Sequence, residues 1–177
     1  MAFLSRWRAP ACLVFVLCLA SAPAVPRQAS AKVSTLEDVT KAFDAVPCED
    51  SARQAAVKAL FEKAGAAAAD IKVDAFGHVE NLVLVKPGAS SEKIVIGAHY
   101  DKVSAGCGAI DNWTGLVALS HIYQTLRDIP LQKTLVFVAF GREEKGLVGA
   151  RAMTKAIPDD QLAQYCAMVN IDSLGLG

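Results

Sequence analysis

The sequence predicts an α/β fold, with a central, mostly parallel or mixed β-sheet flanked by helices on both sides. Three observations lead there. Residues 93–98, 134–140 and 167–171 are nearly continuous apolar runs of strand length, the pattern of strands covered on both faces. Residues 113–128 and 147–156 carry helical periodicity between those runs, and alternating strands and helices build largely parallel sheets. Each run also ends at residues that bind metals, and in such sheets ligands sit beyond the carboxyl ends of the strands.

A chain of 177 residues, 53% apolar and 20% charged, is long enough for one domain with a substantial core. Eighteen basic residues balance eighteen acidic ones, so no global field draws nucleic acid or an anionic membrane, and the functional signal is local. The N-terminus reads as a secretory signal peptide over residues 1–31. Arg6 and Arg8 precede an apolar run at 11–20, and small residues mark cleavage after Ala24 or Ala31. That run is too short for a spanning helix, which needs roughly 20 residues, so no stable membrane anchor is expected. The remaining domain, 32–177, is expected to be secreted or periplasmic. Cleavage removes Cys12 and Cys18 and leaves Cys48, Cys107 and Cys166, from which a disulfide can form, though spacing does not choose the pair. No CxxC motif or neighbouring histidine supports a ligand or nucleophile role for Cys107.

The elements follow in order. Residues 34–46 and 50–64 read as helices, with Ser34 or Thr35 capping the first and Asp50 or Ser51 the second. Val57, Leu60 and Phe61 form the apolar stripe of the second, and Gly65 ends it. Residues 66–69 connect to a pair of strands at 71–76 and 82–85, separated by residues 77–81. Pro87-Gly88 reads as a turn. The strand at 93–98 leads to a helix at 113–128 whose Leu116, Leu119, Ile122, Tyr123 and Leu126 share one side and which Pro130 closes. After the strand at 134–140 come a helix near 147–156 and a last strand at 167–171.

His99 follows one buried run, Glu143-Glu144 another and Asp172 a third, while Asp111-Asn112 opens a helix. Two adjacent carboxylates after a buried strand repel each other unless a cation or a shared proton compensates. Asp101 lies two residues beyond His99, close enough for its carboxylate to take the imidazole's free N–H and fix its tautomer. Taken singly, Asp111 also fits a helix N-cap, Asp172 a loop carboxylate and Glu143-Glu144 a solvated acidic turn. Their coincidence at one sheet edge favours a metal site.

Four stretches, 97–101 (GAHYD), 108–112 (GAIDN), 141–150 (GREEKGLVGA) and 169–172 (VNID), in this order over roughly residues 35–177, resemble the secreted dinuclear zinc aminopeptidases, a group that includes glutamate carboxypeptidase-like metallopeptidases. The resemblance implies a zinc exopeptidase α/β/α sandwich and peptide substrates. It implies two zinc ions, with His99 and Glu144 as ligands of one, Asp111 bridging both and Asp172 on the second. It implies Glu143 as general base, Asp101 as the partner of His99, and release of N-terminal residues by a hydroxide held between the metals. The mixed His and carboxylate set suits zinc.

One ligand of the pattern is missing. The family's second zinc takes a further His, and the other histidines here, His78 and His121, fall in a strand–strand turn and two turns into a helix. The chain is therefore expected to be an incomplete catalytic domain with an uncovered sheet edge. Two alternatives stand beside the peptidase: a glutaminyl cyclase-like single-zinc acyltransferase, and a non-catalytic metal-binding fragment.

Overall fold

The computed structural model describes residues 30–175. The expected signal peptide, with Cys12 and Cys18, lies outside the described residues apart from Ser30 and Ala31. Five strands form one sheet: β1 (Ile71–Phe76), β2 (Val79–Lys86), β3 (Lys93–His99), β4 (Thr134–Phe140) and β5 (Tyr165–Asn170), in the order β1-β2-β4-β3-β5. β3 pairs in parallel with β4 and β5, whereas β2 is antiparallel to both β1 and β4. The sheet is thus evenly mixed. Its parallel half, β4-β3-β5, is the part that carries the site.

Side-chain alternation explains why the central runs are apolar throughout. Leu82, Leu84, Ile96, Ala98, Phe137 and Ala139 face α2 (Asp50–Lys63) and α3 (Thr114–Leu126). Val83, Val95, Val136, Val138 and Phe140 face the opposite layer, where Ala150 and Met153 of α4 (Val148–Ala156) pack. Tyr123 joins three elements through edge-to-face contacts with Phe61 of α2 (6.1 Å) and Phe137 of β4 (5.4 Å). Burying each such side chain stabilises the fold by about 1.5–3 kcal/mol. β5 lies at the sheet edge, with Met168 and Val169 about half exposed.

Helix ends follow local chemistry. α1 (Leu36–Asp44) starts with a capping box in which Thr35 and Asp38 bond each other's backbone N–H. α2 has Glu49 at its N-cap with no side-chain bond, contrary to the expected Asp50 or Ser51, because the Asp50 carboxylate accepts from Lys102 N instead. Its C-terminus closes as a Schellman motif: Gly65 N–H bonds Glu62 O and Ala66 N–H bonds Phe61 O, with Gly65 at φ +93°. The β1–β2 turn is only Gly77-His78, with Gly77 at φ +64° as tight hairpins favour, so β2 begins three residues earlier than the apolar run implied. The bend before β3 falls at 89–91 rather than at Pro87-Gly88. α3 begins at Thr114 after an irregular π turn at Ala109–Trp113.

Candidate metal centre

The parallel strands end level with one another. His99 is the last residue of β3, in register with Phe140 of β4, and Ile171 N–H bonds Gly97 O to bring Asp172 alongside. The turn Glu143–Lys145 follows β4. The backbone of Asp111 and Asn112 is non-helical, and their peptide bond is cis. Asp111 is no N-cap: Asn112 Oδ1 accepts from Gly115 N (3.1 Å), which frees the Asp111 carboxylate for the site.

His99 is buried, and its Nε2 lies 3.0 Å from Asp111 Oδ1, 3.7 Å from Asp172 Oδ1 and 3.9 Å from Glu143 Oε2. His99, Asp111 and Asp172 offer ligand atoms all within 4.8 Å of one another, and so do His99, Glu143 and Glu144. All six residues singled out in the sequence therefore meet here. His78, in the hairpin turn, and His121 do not: the ring of His121 bonds Ser34 Oγ through Nδ1 (2.5 Å), between α3 and the segment before α1.

Asp101 lies beside His99, but it meets the ring through different atoms than expected. His99 Nδ1 is 3.1 Å from the Asp101 carbonyl oxygen and 3.6 Å from its carboxylate, so the backbone carbonyl takes the imidazole N–H. The carboxylate instead accepts from Glu143 N (2.8 Å) and Glu144 N (3.2 Å), fixing the turn that carries both glutamates. Arg142, Leu147 and Ser173, all non-glycine, sit at φ +55°, +61° and +50° around Glu143-Glu144 and after Asp172. Such left-handed residues cost about 1–2 kcal/mol each and collect where geometry is held for function.

The electrostatics are those of a site built for cations. Burial alone lowers the His99 pKa, but Asp101, Glu143 and Asp172 overcome it and raise it to about 9. Burial raises the Asp101 carboxyl, yet His99 and the two backbone N–H donors hold it below the usual range. Glu144 is raised by burial and then by Asp111, and its Oε1 is sealed from solvent with no hydrogen-bond partner. An orphaned buried carboxylate oxygen beside an imidazole and four further carboxylates fits a bound metal, and this donor set suits zinc.

Sequence reasoning missed three supporting residues. Arg53 and Asn81 are fully buried, and Asn112 was noted only as the neighbour of Asp111. Asn81 joins Gly141 N (3.1 Å) to Gly149 O (3.0 Å) and so ties the Glu143-Glu144 turn to α4. Arg53 shares the stripe of Val57 and Leu60 at helical spacing, a signal that places it on the buried face. Cys107 pairs with Cys48, which closes the question of a ligand role, and Cys166 is a free, exposed thiol.

The sequence matches the model of Peptidase family M28 over residues 81–177. It is 29% identical over 112 residues to Aminopeptidase YwaD of Bacillus subtilis, covering 60% of this chain and 25% of that protein. It is 34% identical over 90 residues to the probable lipoprotein aminopeptidase LpqL of Mycobacterium tuberculosis, covering 50% of this chain and 18% of that one. The chain thus spans about a quarter or less of these relatives' length. A zinc aminopeptidase structure from Bacillus subtilis superposes with a TM-score of 0.53 at 28% identity, over 54% of this chain and 24% of that one. A glutaminyl cyclase from an Acidobacteriales bacterium shares the fold, with a TM-score of 0.68 at 20% identity over 87% of this chain and 64% of that one.

Proposed function

The chain belongs to peptidase family M28, and from that premise we propose that it carries the metal-binding part of a zinc exopeptidase that releases N-terminal residues from peptides. The observation that carries this reading is the convergence of His99, Asp111, Asp172 and the Glu143-Glu144 pair at the ends of three parallel strands. The resemblance in sequence sets His99 and Glu144 on one zinc; the short approaches of Asp111 and Asp172 to His99 support a different grouping, which we adopt here. His99, Asp111 and Asp172 would hold one zinc, while Asp111 and Glu144, with its unpartnered oxygen, would contribute to a second.

Bound zinc supplies Lewis acidity toward the scissile carbonyl and makes an attacking water more acidic. The chain's own residues do the rest. Glu143 stands 3.9 Å from His99 Nε2 with its side chain partly exposed, free to take a proton from water and pass it to the leaving amine. Asp101 keeps Glu143 and Glu144 in place through their backbone N–H groups, and its carbonyl holds the His99 ring with Nε2 aimed inward.

We also place the protein outside the cytoplasm, in the medium or periplasm. The Cys48–Cys107 disulfide supports an oxidising compartment, and among the described residues no helix is long and apolar enough to cross a membrane.

The test is hydrolysis of aminoacyl anilides by the zinc-loaded chain and by Glu143→Ala. Loss of turnover with zinc content unchanged is the expected result. Normal rates, or loss of the metal, would remove Glu143 from its role. Cyclisation of N-terminal glutamine in place of hydrolysis would replace the peptidase reading with the acyltransferase one.

A further inference from the structure

Asp101 and Asp111 are joined by a loop with little backbone support of its own, and that loop is gripped from behind by a short segment of chain at the start of α2. Arg53 is fully buried, and among the described residues it has no carboxylate partner. Its donors go instead to backbone carbonyls. Nε donates to Tyr100 O, Nη1 to Cys107 O (2.9 Å) and Pro47 O (3.2 Å), and Nη2 to Gly108 O (3.2 Å). The guanidinium also stacks over the Trp113 ring, 5.5 Å from its centre. Asp50 Oδ1 accepts from Lys102 N (3.2 Å), and the Cys48–Cys107 disulfide fastens the same loop one residue before Gly108.

A buried guanidinium with no carboxylate bonded to it is costly unless its donors are satisfied; here four backbone carbonyls satisfy them, and Asp50, Asp101 and Asp111 offset part of the desolvation from further away. The three loop carbonyls it holds lie just before Asp101 and a few residues before Asp111. Tyr100 directly precedes Asp101, and Gly108 accepts from Trp113 N across the turn that contains Asp111. We propose that Arg53 is a positioning residue for the metal centre: by gripping the carbonyls of Tyr100, Cys107 and Gly108 it fixes the loop that sets Asp101 and Asp111 against His99, and so sets the affinity for zinc. The planar fork is what the geometry uses, since one side chain must reach carbonyls at both ends of the loop, and a lysine ammonium offers no such span. The Cβ of a residue at 108 would come 2.7 Å from Asp111 O and 2.8 Å from Lys102 Cβ, and φ there is +57°, so the loop folds back on itself beside Arg53 in a way that requires glycine. The inference rests on the metallopeptidase reading for the identity of the ion, not for the role of the loop.

The experiment compares the full chain with Arg53→Lys and Arg53→Met by amide hydrogen exchange in the metal-free state and by zinc competition against a chromophoric chelator. In both variants, exchange is expected to accelerate at least about tenfold within residues 101–111 while β3 and β4 stay protected. Zinc affinity is expected to fall about 10–100-fold, the usual effect of removing the support of metal ligands. Acceleration spread evenly through the chain would make Arg53 a general stabiliser and overturn the proposal. So would zinc affinity within about twofold of the parent. If the parent chain binds no zinc, the metallopeptidase reading fails, and the exchange pattern alone decides Arg53: confinement to 101–111 upholds its positioning role and uniform spread ends it.

Discussion

Asn112→Ala probes the joint between the two halves of the site. Asn112 is fully buried and makes three hydrogen bonds: Nδ2 donates to Ile171 O (2.8 Å), and Oδ1 accepts from Gly115 N (3.1 Å) and Ser173 N (3.2 Å). It therefore links the start of α3, beside Asp111, to the chain on both sides of Asp172. At about 1 kcal/mol net for each bond, the alanine variant should lose about 3 kcal/mol of stability. For a chain of this size that lowers the melting temperature by about 6–12 °C. Urea denaturation of the metal-free protein reads it as a lower midpoint at unchanged slope. Zinc affinity should fall as well, because Asp111 and Asp172 are then no longer tied together. Asn112→Asp keeps both acceptor functions but sets a carboxylate oxygen against Ile171 O, so it should cost at least as much as alanine. Gly115→Ala attacks the same contact from the other side, where a Cβ would lie 2.3 Å from Asn112 Oδ1. The double variant should thus lose clearly less than the sum of the two. A loss below about 1 kcal/mol for Asn112→Ala, or strict additivity with Gly115→Ala, would refute this account of the joint.

Two further outcomes follow from the same structure. Replacing Cys48 and Cys107 by serine opens a link across 59 residues and should lower stability by about 4 kcal/mol on a chain-entropy basis, read by denaturation, with zinc affinity falling in parallel. The metal-free protein should lose stability as pH rises. His99 has its folded pKa raised to about 9, so its contribution, at most about 3 kcal/mol, is fully present below about pH 6.5 and gone once pH passes about 9. Melting temperatures across that window should fall in the parent and stay flat in His99→Gln, while zinc, displacing the same proton, should bind more tightly as pH rises.

The residues that converge at the candidate site were legible in the sequence because each interrupts a strong pattern. His99, Glu143-Glu144 and Asp172 close apolar strands, and no core tolerates them there without compensation. The strands of the parallel half were legible for a related reason, since burial on both faces leaves an unbroken apolar run. The antiparallel half was harder to read. Glu80 and Asn81 are adjacent polar residues and look like loop, yet Asn81 is buried because it bridges Gly141 and Gly149, partners more than fifty residues away. Spacing placed Asp101 beside His99 but not its atoms, because which oxygen meets the imidazole depends on the turn after β4. The disulfide stayed open for the same reason. Only the packing of α2 against the loop after β3 brings Cys48 to Cys107.

The central claim is that His99, Asp111, Glu144 and Asp172 form a zinc site. Calorimetric titration of the full, metal-stripped chain with zinc tests it most directly, set beside Asp111→Asn, since Asp111 makes the shortest approach to His99 (3.0 Å). The account predicts at least one zinc bound per chain with release of a proton near neutral pH, and binding weakened by about 100-fold or more in Asp111→Asn. A parent chain that takes up no zinc, or an Asp111→Asn variant that binds it as tightly as the parent, would contradict it.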